Sequence, residues 1–218
     1  MPTRRFRPIA LLACLLTFGC GGDNDAPDDR GPTLSVIGTT VRIRCFGGDC
    51  FTGVFQDDGA NVVAERTIGG VTERRSVLLT SHITDITVET GGGNDTFRMY
   101  DRYSFGTLRL SMGGGDDVVD FDDGAATGTT HIDLGDGNDR LSSNASFPPQ
   151  RFRIDMGAGD DSVWLNHVPF PNANEILGGD GTDVLQAPSN VRDHAQRIDG
   201  FEDVEFFCLT VESCSNSE

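Results

Sequence analysis

The sequence predicts an all-β solenoid, a right-handed parallel β-helix with one glycine-aspartate loop in each 22-residue coil. Three observations predict it. Gly-x-Gly-[Asn/Asp/Thr]-Asp occurs five times at a fixed 22-residue period, opening at Gly91, Gly113, Gly135, Gly157 and Gly179 and closing on Asp95, Asp117, Asp139, Asp161 and Asp183. Each copy has an aliphatic residue three positions ahead (Val88, Leu110, Ile132, Ile154, Ile176) and an apolar residue two after its aspartate (Phe97, Val119, Leu141, Val163, Leu185). The composition, with 28 glycines and one tryptophan in 218 residues, suits an elongated single domain of short strands and tight corners.

The elements follow in chain order. Residues 1–19 read as a bacterial secretory leader, with basic Arg4, Arg5 and Arg7 ahead of an apolar run from Ile9 to Phe18. The leader ends Leu16-Thr17-Phe18-Gly19-Cys20, which resembles a lipoprotein signal and implies lipidation of Cys20; Thr17 stands where that signal usually has leucine. Residues 20–32, rich in Gly, Asp and Pro, then form the lipidated end and a flexible tether. Between 33 and 90, alternating apolar and polar runs such as Thr33 to Ile37, Val41 to Phe46 and Ile83 to Val88 predict N-terminal strands. Phe46-Gly47-Gly48-Asp49 reads as a decayed loop of the repeat type, Gly47 lying two periods before Gly91. The five loop-bearing coils occupy 91–200, and 201–218 closes the solenoid as a cap, because a stacked repeat needs its open end covered.

Stacking equivalent residues one strand apart, about 4.8 Å, turns each repeat position into a ladder. A ladder of aliphatics is a core. A ladder of aspartates repels, at ~0.9 kcal/mol per neighbouring pair in water and about 3.5 kcal/mol at an effective dielectric of 20. The expected compensation is a hard divalent cation, since Ca2+ takes carboxylate and backbone carbonyl oxygens together. Five stacked loops leave about four gaps for such ions. The expected ligands are Asp95, Asp117, Asp139, Asp161 and Asp183, helped by Asn94, Asp116, Asn138 and Asp160 and by loop carbonyls.

At these residues the chain resembles the RTX, or haemolysin-type, calcium-binding repeat Gly-Gly-x-Gly-x-Asp-x-apolar-x, whose parallel β-rolls hold Ca2+ between successive turns. The first glycine of that pattern survives only as Gly178; Thr90, Met112, Leu134 and Met156 replace it elsewhere. The resemblance implies a β-roll-like solenoid, but one loop per 22 residues, in place of two per shorter coil, suggests a single ion ladder and a wider, three-faced coil.

Formal net charge is −17, or about −20 once a leader carrying Arg4, Arg5 and Arg7 is removed, which disfavours polyanions, nucleic acid among them, as partners. Beyond Cys14 in the leader and Cys20, four cysteines remain. Local pairing of Cys45 with Cys50 and Cys208 with Cys214 would staple the two ends in an oxidising compartment, though three connectivities are open. His82, His131, His167 and His194 fall at unrelated phases of the repeat and form no visible pair with a nucleophile, so catalysis is not expected. Trp164 lies between inward-facing Val163 and Leu165 and should point outward, level with Arg98, Asp120, Ser142 and Gln186.

The function expected is thus that of an exported calcium-binding solenoid lipoprotein at the bacterial outer membrane or cell surface. It would be tied to the membrane through its lipid, with cell-surface polysaccharide or protein as partner. The competing readings are a metal-independent structural solenoid and a calcium-dependent polysaccharide-binding protein or lyase.

Overall fold

The computed structural model describes residues 32–57, 59–68, 70–78, 83–100, 104–122, 125–144, 151–166 and 174–208. The expected leader, Cys20 and most of the tether, Cys214, His82 and His167 lie outside them.

The described residues form a parallel β-solenoid with two long sheets facing each other across one core. The first sheet contains β1 (Thr33–Ile37), β2 (Thr40–Cys45), β6 (Asp85–Thr90), β8 (Ser104–Ser111), β10 (Ala125–Asp133), β12 (Arg151–Ala158), β14 (Asn174–Asp180) and β16 (Arg197–Asp199), in that order. The second contains β3 (Asp49–Asp57), β4 (Gly59–Ile68), β5 (Val71–Leu78), β7 (Thr96–Tyr100), β9 (Val118–Asp122), β11 (Arg140–Ser143), β13 (Ser162–Leu165), β15 (Val184–Pro188) and β17 (Asp203–Phe207). Its order runs β17-β15-β13-β11-β9-β7-β3-β4-β5. Two sheets replace the three faces expected of a 22-residue coil. At the loop corner the third face shrinks to single bridges, Gly92 to Gly114, Gly114 to Asp136 and Asp136 to Ala158.

Period-two alternation builds the sheets. In β6 and β7 every second residue is buried, so one face of each strand meets the core and the other meets solvent. Parallel pairing at one register then stacks Val88, Leu110, Ile132, Ile154, Ile176 and Ile198 in one inner column. Phe97, Val119, Leu141, Val163 and Leu185 stack opposite. From Val88 to Ile176 and from Phe97 to Leu185 these side chains are at most 2% exposed. Full burial of each contributes about 1.5–3 kcal/mol, which makes the two columns the main source of cohesion between coils. The Phe97 and Phe121 rings add a tilted contact at 5.8 Å.

Both ends depart from the repeat. At the N-terminus, β1 runs antiparallel to β2, and β3, β4 and β5 form an antiparallel meander before the chain re-enters the solenoid at β6. β5 is an edge strand, with Glu73, Arg74 and Arg75 exposed along it, charges that oppose edge-to-edge pairing. At the C-terminus a short helix, α1 (Ser189–His194), buries Val191 and sets the Arg192 guanidinium over the Phe206 ring at 5.8 Å. The last coil is shorter: Val184 pairs with Asp203 and Leu185 with Val204. Ile198 keeps the aliphatic register, as its spacing predicts.

Candidate metal centre

The five loop aspartates come together in one line on the inner side of the loop corner. Asp95, Asp117, Asp139, Asp161 and Asp183 are each at most 2% exposed. Their alignment follows from the flanking strands, which carry identical register into and out of every loop. The glycines allow the loops to close up. At Gly113 φ is +103° and a Cβ would lie 2.1 Å from the Gly91 carbonyl oxygen; at Gly135 φ is +101° and the corresponding distance is 1.9 Å. Positive φ and backbone contact together exclude any side chain there.

Two side-chain ladders of opposite sense bind each loop to its neighbours. In the inner one, the Asp95 amide donates to Asp117 Oδ1 at 2.7 Å, Asp117 to Asp139 at 2.8 Å, Asp139 to Asp161 at 2.7 Å and Asp161 to Asp183 at 2.9 Å. Each carboxylate thus reaches back to the preceding coil. In the outer one, the Asp116 amide donates to Asn94 Oδ1, Asn138 to Asp116, Asp160 to Asn138 and Thr182 to Asp160, at 2.9–3.0 Å, so each side chain reaches forward. The outer ladder alternates amide and carboxylate, which sets its like charges two rungs apart and reduces their repulsion.

Both ladders extend beyond the five repeats. The Asn94 amide donates to Asp49 Oδ1 and the Cys50 amide to Asp95 Oδ1. Asp49 and Cys50 therefore stand where Asn94 and Asp95 stand in the next coil, and Phe46 packs under Gly91. The decayed loop is shifted by one residue from the two-period alignment expected of Gly47 with Gly91, because the β3–β5 meander is not an integral number of coils. Cys50 is bonded to Cys45, as local pairing predicts. Cys208 is also disulfide-bonded, its expected partner Cys214 lying outside the described residues. At the other end the Asp183 amide donates to Glu202 Oε2 at 2.7 Å. The roles of Asp49 and Glu202 escape sequence reading because neither lies a whole number of periods from the loops they serve.

Only one oxygen of each inner aspartate is used in this way. Oδ2 of Asp95, Asp117, Asp139, Asp161 and Asp183 is buried without a hydrogen-bond partner. At the two ends of the line the carboxyl lies beside the position just ahead of the loop, Thr90 for Asp95 and Gly178 for Asp183. Thr90 touches the Asp95 carboxyl but gives its hydroxyl proton to the Met112 carbonyl. At Gly178 a Cβ would sit 2.6 Å from Asp183 Oδ2. Burial accordingly pushes the carboxyl pKa values up, to about 6 for Asp95 and Asp139 and to about 7 for Asp117 and Asp161, against the lowering effect of the hydrogen bonds they accept. Asp183 is raised by the same desolvation and by Glu202, Asp160 and Asp180 nearby.

These residues fit a hard cation through the five buried, unpartnered Oδ2 atoms. The remainder of any shell would come from backbone, because no three His, Cys, Asp or Glu side chains converge among the described residues. Several loop carbonyls already accept inter-coil amides, Gly91 from Gly114 at 2.9 Å and Gly114 from Gly93 at 2.8 Å, leaving each a second lone pair. Asn94, Asp116, Asn138 and Asp160 lie at the exposed lip of the corner, their Oδ1 atoms engaged in the outer ladder. Trp164 points outward from the second sheet, 39% exposed, level with Ser142 and Gln186 as its phase predicts. Compared with protein-family models, with curated proteins and with solved structures, the chain matches none.

Proposed function

We propose that this protein is an exported, calcium-binding solenoid of the RTX-like kind, held at the bacterial cell surface through lipid on Cys20 and serving as a scaffold or adhesion module. The observation that carries the calcium reading is the line of five buried Oδ2 atoms without partners. Stacking these coils leaves carboxylates desolvated, and a divalent cation bound between coils supplies the missing positive charge. Asp95, Asp117, Asp139, Asp161 and Asp183 would hold it, with loop carbonyls completing the shell and Asn94, Asp116, Asn138 and Asp160 adding negative potential or oxygens at the lip. The ions act on folding: a chain leaving a calcium-poor cell stacks its loops fully only when it meets external calcium.

A second reading is favoured by the hydrogen bonds between coils. Every inner Oδ1 already accepts an amide, so a solenoid with protonated aspartates closes without metal. Thermal unfolding of the mature chain carrying Cys20→Ser, followed by circular dichroism in chelator, in millimolar Mg2+ and in millimolar Ca2+, separates the two. A calcium-selective rise in melting temperature supports the metal ladder. Coincident melts in all three conditions leave a metal-independent scaffold.

A further inference from the structure

We propose that copies of this chain stack end to end, strand β5 of one molecule adding to β17 of the next so that the second sheet continues across the joint. β5 and β17 are the two edges of that sheet. β3 runs parallel to β7, β4 reverses and β5 reverses again, so β5 has the direction of the solenoid strands from β7 to β17. Laid against β17 it makes one more parallel pair of the kind that already joins the coils. Both ends also leave the inner columns uncovered. Val204 is 39% exposed although it pairs with fully buried Leu185. Val71 is 67% exposed on the face of the β4–β5 hairpin that carries buried Val62 and Ala64, and Val36 is 46% exposed on β1, which touches β5.

Phase and charge select the register. On β5 the inner face carries Arg75 and Val77, paired with buried Ala64 and Val62; on β17 it carries Val204 and Phe206, paired with buried Leu185 and Ala187. Setting Arg74 opposite Asp203 matches these faces and places Ser76 opposite Glu205, Val77 opposite Phe206 and Leu78 opposite Phe207. Every residue of β17 then has a partner, and exposed Leu78 gains an aromatic neighbour. Arg74 gives one donor to Glu65 at 2.8 Å and has others to give, so it stands between an acid of its own copy and an acid of the next. The ends differ in sign: β5 carries Arg74 and Arg75 against Glu73, whereas β16, β17 and the turn between them carry Asp199, Glu202, Asp203 and Glu205 against Arg197. The same charges oppose like ends, since β5 on β5 would bring arginines together and β17 on β17 acids. The contact is therefore heterologous, and one repeated along the solenoid axis extends into a filament without closing.

Such stacking deepens the scaffold reading, on which it rests, and needs neither calcium nor lipid. The test is sedimentation of the mature chain carrying Cys20→Ser, at fixed calcium and rising protein concentration, with electron microscopy of the largest species. The expected result is salt-sensitive association that passes beyond the dimer, weakened about tenfold or more by Arg74→Glu and by Asp203→Arg singly. The two changes combined in one chain should restore it, because the joint then pairs the same charges exchanged. All three variants should melt near the parent, since both side chains are exposed. A parent that stays monomeric, a mass that stops at the dimer, association indifferent to both single changes, or a double variant no better than the singles would overturn the stack. So would a parent that associates only after residues 209–218 are removed, which would give the β17 edge to the chain's own end. A monomer stabilised by calcium refutes the stack alone; stacking copies whose melting ignores calcium refute the metal ladder alone.

Discussion

The Cys50 amide donates to Asp95 Oδ1 at 2.7 Å, so the Cys45–Cys50 disulfide forms the first rung of the aspartate ladder. Cys45 pairs in register with Thr90, and Cys50 stands where Asp95 stands one coil on. In the next coil Thr90 touches the Asp95 carboxyl; here the same two positions are joined covalently. Both cysteines are buried, at 1% and 2% exposure. The end coil, which has no loop before it to clasp, is closed by a bond that needs neither proton nor cation.

Breaking that bond should loosen the N-terminal coil. Closing so short a loop constrains the unfolded chain by about 2 kcal/mol, so the Cys45→Ala/Cys50→Ala double variant should lose about that much stability in a denaturant titration. A midpoint unchanged from the parent would remove the disulfide from any part in the ladder's stability.

In chelator, stability should fall as pH rises. The carboxyls of Asp95, Asp117, Asp139 and Asp161, raised to about 6 to 7, lie above the ordinary aspartate value of 3.8, so the folded chain binds more protons than the unfolded one between those limits. The stabilisation is fully present below about pH 4 and is lost as pH passes through 6 to 7. Calcium competes with those protons, and the gap between melts with and without it should widen from pH 5 to pH 8. A melting temperature in chelator that climbs over this range would contradict the desolvated ladder.

Two substitutions at Asp139 divide its roles. Asp139→Ala discards the charge but also leaves the Asp117 amide buried without its acceptor, so in chelator it should be about 1–3 kcal/mol less stable than Asp139→Asn. Asp139→Asn keeps an oxygen for that amide and discards the charge, so at pH 8 in chelator it should stabilise by about 2 kcal/mol while weakening the response to calcium. An Asp139→Asn variant that melts below the parent at pH 8 in chelator would show that the charge at this position carries no penalty.

The glycines are tested by Gly135→Ala. Its Cβ would meet the Gly113 carbonyl oxygen at 1.9 Å with φ at +101°, so backbone strain of about 1–3 kcal/mol adds to a contact that only coil separation can relieve. Urea unfolding should show a loss of more than about 2 kcal/mol. A loss below that would mean that the loops are packed less closely than they stand in the folded chain.

The 22-residue register was legible in the sequence because parallel stacking repeats one environment per coil, and each environment selects its residue independently. Apolar columns, glycine corners and the aspartate line all follow from periodicity, and so does the outward phase of Trp164. So does the Cys45–Cys50 pairing, whose partners are close in the chain. What lay outside periodicity had to wait for the fold. The two sheets, in place of three faces, follow from how far the strands extend, and the one-residue shift of the Phe46–Asp49 loop follows from the β3–β5 meander inserted between coils. Glu202 enters the ladder only because the last coil is shortened.

The chain by itself therefore determined the solenoid, its period and the line of loop aspartates, since short-range alternation and a fixed repeat suffice to specify them. Only the tertiary structure decided the direction in which those aspartates point. Their inward turn spends Oδ1 on a neighbouring coil's amide and strands Oδ2 in the core. That outcome depends on backbone spacing between coils, which no single 22-residue segment contains.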